Sequence, residues 1–218
     1  MHIPFTVTVI FALSILIAGV IAILRFAQIR DVYRPFIYLV WVACITELLS
    51  VYLVLNHQYN IIPYTIYNLC ESLLLLWFFQ KLKVLKKKSF LFFLIVLFVI
   101  IWVSETFLIQ QFGNKFTYYF NIIYGFIIVL LCIRAINDLL FTEKELLKNP
   151  TFLICIGLII FFTYDIINRM FRLYGLNNSH SFRLSVESLQ MIINFLSNLI
   201  YALAVLWMRK KQAFTLQF

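Results

Sequence analysis

Seven apolar runs, each about 20 residues long and separated by short polar connections, constrain this chain more than any other feature. A hydrocarbon core about 30 Å thick takes roughly 20 residues of helix to cross, and only a helix or a closed barrel satisfies its own backbone there. The runs fall at about 4–24, 35–55, 62–80, 89–108, 116–135, 150–170 and 184–207, with boundaries good to about 2–4 residues. The expected fold class is therefore all-α: a polytopic seven-helix transmembrane bundle forming one domain over residues 1–218. Charged residues make up 12% of the chain, against about a quarter in soluble domains, which excludes an ordinary soluble globule. Connections of at most about 16 residues leave no room between spans for a kinase, nucleotidase or DNA-binding module.

Local signals agree with these boundaries. Pro4, Pro35, Pro63 and Pro150 all stand at or near the start of a run, where a missing N–H costs nothing. Asn149-Pro150 reads as a helix cap followed by Pro at the first helical position, and Thr142-x-x-Glu145 as a capping box on a short interfacial helix. The first run lacks a basic leader and is too long for a signal peptide, so a retained first helix is expected. Its Ser14, Ala18 and Ala22 recur every four residues, a small-residue stripe that lets another helix come close. Cys44, Cys70, Cys132 and Cys155 all lie within runs, with no disulfide framework or metal spacing among them.

Orientation follows from the basic residues, because positively charged loops resist translocation. Arg25, Arg30, Arg34, Lys81, Lys83, Lys86, Lys87, Lys88, Arg134, Lys144, Lys148, Arg209, Lys210 and Lys211 fall on one set of alternate connections. Only Lys115, Arg169, Arg172 and Arg183 fall on the other. The amino terminus is thus expected outside and the carboxy terminus inside. The net charge of +9 then reports topology and affinity for anionic lipid headgroups, not nucleic-acid binding.

An ionisable group near the bilayer centre costs roughly 2.5–3.5 kcal/mol on insertion scales, so each one marks a candidate site. Glu47 and Glu71 share a depth of about 12–14 Å below the outer surface at 1.5 Å per residue. Glu187, Gln190, Asn194 and Asn198 follow one another at intervals of 3, 4 and 4, which puts them on one face of the seventh run. Tyr64, Asn68 and Glu71 form a similar stripe on the third, and Tyr118, Asn121 and Tyr124 on the fifth. Asp165 and Arg169 lie toward the outer end of the sixth. Nearly all of these groups sit in the outer half, so the expectation is an outward-facing polar pocket narrowing toward Glu47 and Glu71. The plainer reading is that buried Asn, Gln and Glu only hold helices together, at about 0.6–2 kcal/mol each, and that Asp165 and Arg169 neutralise one another. Glu105, Arg172 and Arg183 read as interfacial and solvated.

Thr46-Glu47 followed by Glu71-Ser72-Leu73 parallels Thr163-Tyr164-Asp165 followed by Glu187-Ser188-Leu189, and both stretches open on a proline. A true repeat makes helices 1–3 and 5–7 parallel three-helix units joined by helix 4, a 3+1+3 layout. ESL is, however, a common tripeptide in apolar helices.

Several family likenesses have definite requirements. The layout resembles rhodopsin-like proteins, but the last run holds no lysine for a retinal Schiff base. The adiponectin-receptor and ceramidase superfamily needs intramembrane histidines for zinc, whereas His2, His57 and His180 lie in terminal or outer connections. The 3+1+3 layout resembles SWEET-type sugar transporters, without their prolines within helices. Over most of its length the chain is similar in texture, as in Tyr67-Asn68-x-x-Glu71, to small uncharacterised bacterial seven-helix membrane proteins, some encoded near sensor kinases. That resemblance implies a bacterial inner membrane and a sensory role.

Three functions are compatible with the sequence. In a receptor-like sensor, a small ligand entering from outside changes helix packing that a cytoplasmic or membrane partner reads. In a solute or proton-coupled transporter, Glu47 and Glu71, if adjacent, could not both ionise cheaply. An intramembrane lipid-modifying enzyme would use Asp165, Glu187 or Glu71 as acid and base, but the chain carries no paired-aspartate phosphate motif, GxSxG or metal cluster, and nothing calls for a cofactor. Glu71→Leu or Asn194→Leu is expected to leave insertion intact while abolishing activity; loss of expression instead would favour the helix-holding reading.

Overall fold

The computed structural model describes residues 5–109, 117–141, 145–175 and 179–208. The described chain is helical, and seven of its helices are long and apolar enough to cross a membrane: Val7–Gln28, Arg34–Leu55, Ile61–Lys81, Lys88–Ile109, Tyr118–Leu140, Pro150–Leu173 and Phe182–Trp207. The first of these is broken into α1 (Phe5–Ala12) and α2 (Ile15–Arg25). Ser14 explains the break, because its hydroxyl donates back to the Phe11 carbonyl at 2.6 Å and competes with the helical ladder. The remainder are α3 (Arg34–Leu55), α4 (Ile61–Lys81), α5 (Lys88–Val103, extended by a π turn at Ser104–Ile109), α6 (Tyr118–Leu140), α7 (Pro150–Leu173) and α8 (His180–Trp207).

Most boundaries lie within a few residues of the apolar runs. The exception is α6, which continues to Leu140 past Arg134 and Asp138. Both charged side chains are exposed while Ala135 is buried, so the helix extends without burying charge. Asn149 caps α7 as its sequence suggests, accepting from the Thr151 N–H at 2.9 Å. Thr142 and its capping box lie outside the described residues; Glu145 leads into a single 3-10 turn, Leu146–Lys148.

The helices pack in chain order into a closed ring: α2 on α3, α3 on α4, α6 on α7, α7 on α8, and α8 back on α1 and α2. Because α4 also touches α6 directly, α5 sits against the outside of the ring between them. Small residues set the close crossings. Ser14, Ala18 and Ala22 are all buried, and Asn198 on α8 donates to the Ser14 hydroxyl at 2.8 Å, as a small-residue stripe allows. A Cβ on Gly19 would meet Cys44 Sγ at 2.7 Å, one on Gly125 would meet Phe162 Cδ1 at 3.2 Å, and one on Gly157 would meet Tyr201 Cε1 at 2.6 Å.

Toward the carboxy end of α4 and α8 the interior is close-packed and apolar, with Leu75, Leu76, Phe78, Phe79, Ile128, Ile154, Ala204 and Val205 buried. Arg25 ties this end together, its guanidinium donating to the Leu206 carbonyl and reaching those of Val205 and Met208 at the end of α8. The four cysteines are free thiols.

Gly157→Ala is expected to destabilise the bundle by about 1–3 kcal/mol, because the Tyr201 ring has packed neighbours and cannot simply rotate away. Gly125→Ala faces only a shift of a few tenths of an ångström and should cost less. Thermal unfolding of the two variants in the same detergent checks the order.

Candidate functional site

Glu71 on α4 is a buried ionisable group inside the ring. It is 6% exposed, and both of its oxygens are taken: Tyr67 one turn earlier donates to Oε1 at 2.8 Å, and Tyr124 on α6 donates to Oε2 at 2.5 Å. Tyr124 is held in turn by edge contacts with Phe98 and Phe162, at ring separations of 6.2 and 5.4 Å. A carboxylate is an acceptor only, so two phenol donors match it. Glu47 on α3 accepts from Tyr64 of α4 at 3.0 Å, and Asn60 joins the same two helices by donating to Ser50 at 2.7 Å. The two glutamates therefore occupy separate tyrosine cradles rather than sharing a proton-bridged contact.

The α7 and α8 wall is also knit by polar contacts. Arg169 Nε pairs with Asp165 Oδ2 one turn earlier at 2.5 Å, and its Nη1 reaches the Thr117 carbonyl at the start of α6. Asn168 donates to Gln190 at 3.3 Å, and Tyr164 to the Val186 carbonyl at 2.9 Å.

Between these walls lies a cavity of about 300 Å³, within the range of small-molecule sites. Glu47, Asn68, Glu71, Asp165, Arg169, Gln190, Asn194 and Asn198 all line it. It does not end at the glutamates but continues past them to an apolar floor of Phe36, Leu158 and Tyr201, where Phe36 and Tyr201 meet edge to face at 5.4 Å. Beneath the floor is the close-packed apolar end of the bundle. Two other candidates lie off the wall. Glu187 is on the same face of α8 as Gln190 but nearer the helix start, and it pairs with Arg172 at 3.3 Å, each about one-third exposed. Asn121 is fully buried in the first turn of α6, with Nδ2 bound to the Thr117 carbonyl at 2.5 Å.

Glu105 departs from the expectation of a solvated interfacial residue. It is 1% exposed, and its oxygens accept the N–H groups of Tyr119 at 3.0 Å and Phe120 at 2.6 Å, so it caps α6 from a neighbouring helix. The π turn after α5 is what swings it there. Arg172 and Arg183, by contrast, are exposed.

The tyrosines are the members of the site that the stripes of acids and amides underweighted. Tyr64, Tyr67, Tyr124 and Tyr201 all line the cavity; the stripes had included Tyr64 and Tyr124, and the i,i+4 placement of Tyr67 before Glu71 was a further signal. A search of protein-family models, curated proteins and solved structures finds no match to the chain.

Tyr124→Phe is expected to cost about 1–3 kcal/mol by leaving a buried Glu71 oxygen without its donor. Glu105→Leu should cost about 2 kcal/mol through two orphaned N–H groups, whereas Glu187→Gln should cost at most about 1 kcal/mol, since its ion pair is partly exposed. Chemical or thermal unfolding of the three variants tests that ranking.

Proposed function

We propose that the chain is a multi-pass membrane protein that binds a small molecule in this cavity and acts as a receptor-like sensor. The observation that carries the reading is the contrast within one ring of helices: a polar-lined cavity at one level and a close-packed apolar core at the other. Helices used only as glue bring polar groups together and leave no room between them, whereas here eight charged and amide side chains, with tyrosines among them, surround open volume. With the amino terminus outside and the carboxy terminus inside, as the basic residues suggest, the cavity lies toward the outer face and the apolar seal toward the cytoplasm. A ligand that changes the spacing of α7 and α8 would be felt at the Arg25 clasp and the neighbouring basic connections, where a cytoplasmic or membrane partner can dock. A bacterial inner membrane with anionic headgroups suits the charge pattern.

A second reading, a small-solute carrier, is favoured by one observation. Val40, Ala43 and Glu47 line the cavity from α3 with the same spacing as Leu158, Phe161 and Asp165 from α7. Cys44 stands three positions before Glu47 and faces Gly19; Phe162 stands three before Asp165 and faces Gly125. That register supports a parallel 3+1+3 repeat, a plan in which carriers place their site between repeats. The matched Glu187 does not follow it, and the apolar seal opposes passage.

Thermal unfolding of the detergent-purified protein against a small-molecule library decides between a site and a scaffold. A saturable rise in midpoint, lost in Asn194→Leu, is the expected result. Proteoliposome flux of the same compound would move the assignment to the carrier; a bound compound without flux supports the sensor.

A further inference from the structure

Resting on the reading of the cavity as a ligand site, its wall carries an imbalance of charge. Three carboxylates, Glu47, Glu71 and Asp165, line it against a single cation, Arg169. Arg169 is committed to Asp165, leaving two carboxylates without a basic partner among the described residues. Glu71 has both oxygens engaged by phenols, but among the described residues Glu47 receives only Tyr64, and only on Oε2. Beside it on α4, Asn68 is 7% exposed and turns its amide into the cavity with no hydrogen-bond partner among the described residues. An amide open to the cavity without a protein partner, beside a carboxylate held by one neutral donor, leaves hydrogen-bonding capacity for a guest to use.

We propose that the cavity takes a small organic cation, an amine or quaternary ammonium, with its charge against Glu47 and Asn68 on the α3/α4 wall. The rest of the lining suits such a guest. Tyr64 and Tyr67 add aromatic rings to the lining, which suits a cation, and the floor of Phe36, Leu158 and Tyr201 takes an apolar substituent. A volume of about 300 Å³ is far larger than a bare metal ion needs, and among the described residues no three His, Cys, Asp or Glu side chains are grouped to hold one. An anion would face the two carboxylates directly, with the one guanidinium already paired.

The test is a charge series on the full chain in detergent, read by unfolding midpoint: benzylamine, phenethylamine and tetraethylammonium against neutral benzyl alcohol and anionic benzoate. The ammonium compounds are expected to raise the midpoint saturably, with binding weakened roughly tenfold or more in Glu47→Gln and unchanged in Glu145→Gln, whose side chain is exposed. Should Glu47→Gln not fold, the wild-type series decides alone. Stabilisation by benzyl alcohol or benzoate equal to that by the amines overturns the cation assignment and leaves the cavity as a ligand site. No shift with any compound overturns both.

Discussion

The Glu71 carboxylate, held between the phenols of Tyr67 and Tyr124, is the interaction on which the rest of the interior depends. It joins α4 to its ring neighbour α6, and it does so with hydrogen bonds that a lipid-like interior makes expensive to leave unmade. Tyr124 can serve only because Phe98, Phe120 and Phe162 fix its ring, so the polar contact and the aromatic packing around it form one unit. A bundle whose helices met only through Leu and Phe would have no reason to stop collapsing; here the paired carboxylates and amides hold two walls at a set distance, and the cavity is what remains between them.

The same logic explains why the two ends of the bundle differ. Glycine, alanine and serine bring α2, α3 and α8 close, and Gly157 lets Tyr201 of α8 lie against α7. Below that level large apolar side chains interlock and Arg25 closes the end of α8. The carboxylates and the cavity they line thus lie at one level, and the close-packed apolar side chains at the other.

Much of this was legible in the sequence. Seven runs of hydrocarbon-spanning length specify the helices because the bilayer-like period is long and the polar breaks are short. The stripes of Asn68 with Glu71, and of Gln190 with Asn194 and Asn198, fall on the cavity because a helix keeps residues three and four apart on one face. What periodicity does not carry is depth along a helix and the partner on another one. Glu187 shares the angular position of Gln190 but lies nearer the end of α8, within reach of Arg172. Glu105 looked solvated because it stands near the end of a run, yet a π turn and the unpaired N–H groups at the start of the next helix bury it. The Tyr124 bond to Glu71 spans two helices and leaves no local trace at all.

The most direct measurement is accessibility of single cysteines, in a background with Cys44, Cys70, Cys132 and Cys155 replaced, to a membrane-impermeant thiol reagent applied to each side of the membrane. Asn194→Cys in the cavity should react from the outer side only, and Val205→Cys in the apolar seal from neither. Modification of Val205→Cys from the cytoplasmic side, or an Asn194→Cys inert from both, would contradict a pocket that is open outward and closed inward.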